Sequence, residues 1–246
     1  MIIDSHIHFM ESYGILEGSS PSSLKEELNK RGIQKAWAFT MSGFYGNCAA
    51  ANDALKEACD ICPETFVPFM TVNPRDGKVA IEEMERAYFQ LGMKGLKIHP
   101  WCQSFSLTEK WFHAMCEKCI DLSIPLVTHD GTPPFGESLQ ACYIAEKYPR
   151  LKVILGHSGL NDLWKEALYG AMRLSNVYLG TCTTQYYGLK QMIKQVGSER
   201  VLFGSDGGFG HSGVIDSNLE KIYQMELSAS DLDNVLYKTA QSLIES

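Results

Sequence analysis

Short runs of β-branched and apolar residues alternate along the chain with longer stretches whose apolar positions recur every three or four residues, so strands are predicted to alternate with amphipathic helices. The first run covers residues 2–8. A polar loop follows, and residues 21–28 read as helix, with a start at Ser22 or Ser23 because Glu26 stands three or four positions on. Further strands are expected over 33–40, 66–72, 95–99, 124–129, 151–157, 177–180 and 201–205. Helices are expected over 47–62, 78–91, 108–121, 137–148, 162–171 and 186–196, with two more helical stretches to the end. Pro63 and Pro74 punctuate the third unit. Eight strand-then-helix units of about 31 residues each approach the roughly 250 residues of a (β/α)8 TIM barrel. The predicted fold class is therefore α/β, a single barrel domain over residues 1–246, because no linker, charge block or short repeat divides the chain.

Composition narrows the function classes. The net charge is −7, from 22 Lys+Arg against 29 Asp+Glu, and no basic run occurs, so a nucleic-acid partner is not expected. No segment approaches the roughly 18 apolar residues of a membrane span, and the start Met1-Ile2-Ile3-Asp4-Ser5-His6 lacks the pattern of a signal peptide. Eight cysteines in a chain large enough to build its own core point to a reducing cytoplasm. The pairs Cys59/Cys62 and Cys116/Cys119 have the spacing of zinc knuckles but fall in helix-like segments, where they read as buried side chains on one helix face.

Chemistry concentrates at the C-terminal ends of the strands, which line the mouth of such a barrel. His6 and His8 are two apart on the first strand, so both imidazoles share a face, as does Asp4. His129 ends the fifth strand, His157 the sixth, and Asp206 follows the eighth. Four histidines and one carboxylate suit one divalent ion, zinc first, with manganese or iron as alternatives.

Four motifs spread along the chain carry a resemblance to a known family: Asp4-Ser5-His6-Ile7-His8, Gly95-Leu96-Lys97-Ile98-His99-Pro100, Leu155-Gly156-His157-Ser158-Gly159 and Leu202-Phe203-Gly204-Ser205-Asp206. The sequence resembles the amidohydrolase superfamily, in the branch called amidohydrolase family 2, to which aminocarboxymuconate-semialdehyde decarboxylase belongs. That resemblance implies a distorted (β/α)8 barrel with one catalytic metal, held by residues matching His6, His8, His129 and Asp206. His157 matches a histidine that binds substrate or shuttles a proton in many members, and that ligates a second metal in binuclear ones.

Water on a protein-bound zinc ion loses its proton near pH 7, so the expected activity is hydrolysis of an ester, lactone or amide in a small carboxylate-bearing substrate. Asp206 would move the water proton and His157 would hold the water or polarise the carbonyl. The alternative is a decarboxylase of a muconate-like or aromatic acid, with the proton delivered to carbon. A deoxyribonuclease of the TatD type fits less well, because that group resembles this chain except for a glutamate where Lys97 and His99 stand.

Lys97 has three readings: a partner for a substrate carboxylate, a carboxylated bridge between two metals, or a lysine buried against Asp4. His99 either lines the pocket or is a satisfied polar residue beside Pro100. Arg75 either forks onto a substrate carboxylate or forms a surface ion pair. Trp101, Phe9, Tyr45, Gln103, Tyr186, Tyr187 and His211 complete a lining suited to a small ring, with Lys97, His99, Arg75 and Trp101 as the candidate substrate-binding residues. His113 is given no role. Barrels often pair through their outer helices, so a homodimer is one open arrangement, but the sequence does not fix the oligomeric state.

Overall fold

A strand enclosed on both faces carries no solvent side, and β1 (Ile3–His8) is buried at all six positions. The computed structural model describes residues 1–9, 18–209 and 213–245. β1, β2 (Lys35–Phe39) and β3 (Phe66–Pro68) pair in parallel, as do β4 (Leu96–Ile98), β5 (Leu126–Thr128), β6 (Val153–Leu155), β7 (Val177–Gly180) and β8 (Val201–Leu202). Parallel bridges from Met70 to Leu96 and from Ile7 to Gly207 join these two sets at both seams. The result is a (β/α)8 barrel, as the alternation predicts.

Each strand leads into helix on the outside. In order these are α1 (Pro21–Asn29), α2 (Ser42–Tyr45), α3 (Cys48–Asp60), α4 (Lys78–Phe89), α5 (Lys110–Asp121), α6 (Ser138–Lys147), α7 (Trp164–Arg173) and α8 (Tyr186–Val196). α9 (Gly213–Tyr223) follows β8, and α10 (Ala229–Asp233) runs through a π turn into α11 (Thr239–Ile244). The start of α1 is corrected. Pro21 takes the first helical position and Ser20 is the cap, its side chain accepting from the Ser23 amide at 3.2 Å. The third strand is also shorter than the run 66–72. Pro68 has no N–H to give to a ladder, and beyond it Met70 pairs alone with Leu96.

Strand alternation divides the apolar residues into two layers. Ala36, Ile98, Leu126, Val153 and Leu179 belong to the large core shared with the surrounding helices. Ile3, Trp37, Phe69, Val127, Ile154 and Leu202 form a second cluster, joined by Ala240 and Leu243 of α11. Trp37 is fully buried there and stacks on Phe69 with ring centroids 4.7 Å apart. Removing so large a buried ring costs about 3–5 kcal/mol, so Trp37→Ala is expected to lower Tm by about 6–20 °C. A thermal melt that moves by under ~3 °C would show that this inner cluster collapses readily around the gap.

Cys59, Cys62, Cys116 and Cys119 are buried and unbridged, in keeping with their reading as packing residues. Burial pushes the thiols of Cys59, Cys116 and Cys119 up, which keeps them protonated and inert. Among the described residues no helix is long and apolar enough to cross a membrane.

Candidate metal centre

The end of β1 is bent so that both of its histidines reach the same place. Pairing with β2 shifts register between Asp4 and Ile7, and such a bulge re-aims side chains at the rim of a barrel. Asp4 fixes the bend. Its Oδ1 accepts from the His6 amide at 3.1 Å and from the Ser205 amide at 3.0 Å. Burial pushes its carboxyl up to about 7, against the opposing pull of those hydrogen bonds.

Asp206 arrives from the other side of the seam. Its amide donates to the His6 carbonyl at 2.9 Å and its backbone has φ 61°. Oδ1 then lies 3.5 Å from His6 Nε2 and 3.3 Å from His8 Nε2. One donor atom from each of His6, His8 and Asp206 falls within 4.8 Å of the others. The histidines are buried, whereas the Asp206 side chain is about 30% exposed and so faces the mouth. Burial opposes ionisation of Asp206, but the His8 hydrogen bond and the nearby His157 and Lys97 hold its carboxyl well below the usual range. His6 is walled by two glycines: a Cβ on Gly156 would lie 3.0 Å from its Cε1, and one on Gly204 would lie 2.9 Å from its Cβ.

The remaining predicted residues sort themselves around this group. The His157 ring is buried, with its centroid 4.8 Å from that of His6 and 4.2 Å from that of His129. Neither of its ring nitrogens has a hydrogen-bond partner, and burial lowers its pKa to about 4. His129 lies outside the three-residue group: its ring stacks on His99 at 3.8 Å and its Nε2 is 2.8 Å from Thr132 Oγ1. Burial holds both rings neutral, His99 at about 2 and His129 well below its ordinary value. Lys97 is not paired with Asp4, a correction to one of its three readings. Its Nζ is 3.3 Å from His6 Nε2 and 5.1 Å from the centre of the Phe39 ring, and burial lowers it to about 8.

Arg75 is also corrected as a substrate-binding group. Its guanidinium donates to the carbonyls of Gln103 and Ser104 and lies 3.5 Å from Glu109, so it holds the loop after β4. Trp101 stands on that loop, half exposed, and Tyr45 reaches it through a 2.8 Å contact to Cys102 Sγ. Phe9 is buried against Phe66 and Gln103 is tied to the Val72 carbonyl, so neither lines the mouth. The Tyr186 hydroxyl donates to the Gln224 carbonyl, and Tyr187 meets the edge of Trp164. His211 lies outside the described residues. Sequence reasoning overlooked Phe44, which packs edge-on against His8 and His99. It also overlooked Asp130, a buried carboxylate on the peptide of His157. The only sequence signal for Asp130 is its place directly after a strand-end histidine.

Two imidazoles and a carboxylate with an open side form a donor set for a divalent ion such as manganese, iron or zinc. Both ring nitrogens of His157, buried and without a partner beside His6, fit a polar guest at this point.

The amidohydrolase family model matches residues 3–244. The chain is 24% identical over 254 aligned residues to gamma-resorcylate decarboxylase of Polaromonas sp., covering 89% of this chain and 73% of that protein. The crystal structure of 2,6-dihydroxybenzoate decarboxylase from Rhizobium superposes with a TM-score of 0.81 at 16% identity, over 99% of this chain and 98% of the other. That of dihydroxybenzoic acid decarboxylase from Polaromonas sp., with bound manganese and the inhibitor 2-nitroresorcinol, has a TM-score of 0.81 at 18% identity, over 99% and 96%.

Proposed function

The chain belongs to the amidohydrolase family, and on that premise we propose that it is a metal-dependent decarboxylase of an aromatic carboxylic acid. The convergence of His6, His8 and Asp206 under an aromatic-edged mouth carries this reading, with the three decarboxylases above as its support. The hydrolysis expected from the donor set is accordingly withdrawn, since these relatives break a carbon–carbon bond.

In the reaction the bond between ring and carboxyl carbon breaks, its electron pair stays on the ring carbon and takes up a proton, and carbon dioxide leaves. His6, His8 and Asp206 would hold the ion, manganese by analogy with the relative or else zinc. When bound, such an ion supplies positive charge that orients substrate oxygens and offsets charge building on them. Lys97 adds a second positive centre, its Nζ 3.3 Å from His6 Nε2. Trp101, half exposed on the loop after β4, offers an apolar face to a ring. Asp206, held as the carboxylate and open to the mouth, takes one proton from solvent and passes it to the ring carbon, and His157 holds the departing carboxylate through a ring nitrogen not otherwise engaged.

Manganese-loaded and zinc-loaded protein should be incubated with a panel of hydroxylated benzoates, following carbon dioxide and the decarboxylated phenol. Equal amounts of both products from at least one acid are expected. Cleavage of lactones or esters with no carbon dioxide from any benzoate would sink the reading.

A further inference from the structure

We infer that Asp130 and Thr184 are positioning residues that set where the His157 imidazole stands, acting through its main chain. No protein atom hydrogen-bonds the ring, so within the protein it is packing and the backbone that locate it. That backbone is held at both ends. The His157 amide donates to Asp130 Oδ1 at 2.8 Å, and the His157 carbonyl accepts from Thr184 Oγ1 at 2.6 Å. The other oxygen of Asp130 accepts from the Gly159 amide and from Ser138 Oγ, both at 2.7 Å. One carboxylate thus spans the turn after β6 and the first residue of α6. Both positioning residues are almost wholly excluded from solvent.

The turn they hold would not keep its shape unaided. Ser158, Gly159 and Leu160 have φ of 45°, 82° and 55°, a left-handed run that is unfavourable for the two residues with side chains. Ser158 Oγ anchors the turn further on the Gly180 carbonyl at 2.7 Å. A ring placed by such a turn moves when the carboxylate or the hydroxyl is removed. Displacement of a reacting group by about 1 Å costs on the order of 100-fold in rate.

Turnover as a readout rests on the proposed decarboxylation, so a second readout is needed that does not. In zinc-loaded protein the His157 imidazole resonances are identified in 15N–1H spectra by their loss in His157→Gln. Asp130→Asn puts an amide group against the amides it should accept from, and Thr184→Val removes the hydroxyl while keeping the shape. Both are expected to move the His157 resonances, and to lower kcat by about 100-fold and about 10-fold respectively with KM nearly unchanged. Thr184→Ser should restore both readouts. Ser138→Ala, which removes only the bond to α6, should lower Tm slightly and leave the His157 resonances and kcat as they are. A fall in Tm with resonances and kcat unmoved in both Asp130→Asn and Thr184→Val would overturn the inference. If Asp130→Asn does not fold, the two Thr184 variants decide. A wild type that releases no carbon dioxide defeats the proposed function, while the spectra still test the positioning.

Discussion

Asp206→Asn is expected to leave the barrel folded and to lower decarboxylation by about 10³-fold or more. Asparagine suits the test because it keeps the shape and tolerates the left-handed backbone at this position, φ 61°, where alanine would add strain. The amide bond to the His6 carbonyl is a main-chain bond and survives. What is lost is the negative charge facing His6 and His8 and the oxygen that carries a proton to the mouth. Circular dichroism should show an unchanged fold, and progress curves of carbon dioxide release give the rate. Turnover within about 10-fold of wild type would remove Asp206 from both of its roles.

The second large effect concerns the ion. A ligand that binds only the folded state stabilises it by about 2.7 kcal/mol at 100 times its dissociation constant, so Tm should rise by roughly 5–11 °C when manganese is restored to chelated protein. His8→Ala deletes one of three donors that lie within 4.8 Å of each other, and should abolish most of that rise together with turnover. The experiment is a pair of melts with and without the ion for each protein, beside elemental analysis. Equal ion-dependent shifts in wild type and His8→Ala would place the ion elsewhere.

Much of this molecule was legible beforehand, for reasons that differ from part to part. The barrel was readable because both periods are strong: apolar runs enclosed by helices, then amphipathic stretches of three to four turns. α2 was not, since four residues are too few to show a helical period. His6, His8 and Asp206 converge because strand ends meet at one rim, and that follows from topology once eight units are counted. His129 shows the limit of the same argument. Strand parity delivers its Cα to the rim, but stacking on His99 and contact with Thr132 set where the ring goes. For Arg75, residue type says only that a planar fork seeks oxygens, and the oxygens turned out to be loop carbonyls. Asp130 escaped because its work is done on backbone amides, which a sequence does not display. Hydrolase and decarboxylase were indistinguishable from the donors alone, because the same charge at the same rim serves a proton bound for a leaving group or for carbon.

The slot around His6 fixes when its order is acquired. Its walls at Gly156 and Gly204 are main chain, and a side chain at Gly156 would fill the space occupied by the imidazole while one at Gly204 would crowd the Cβ that carries it. A wall of backbone does not swing aside as a rotamer does. The rotational freedom of that imidazole is therefore surrendered as the barrel closes, long before any guest arrives. Association at Nε2 is then preorganised, and its tightness is governed by the water that guest and pocket shed and by how well the donor spacing suits the guest's radius.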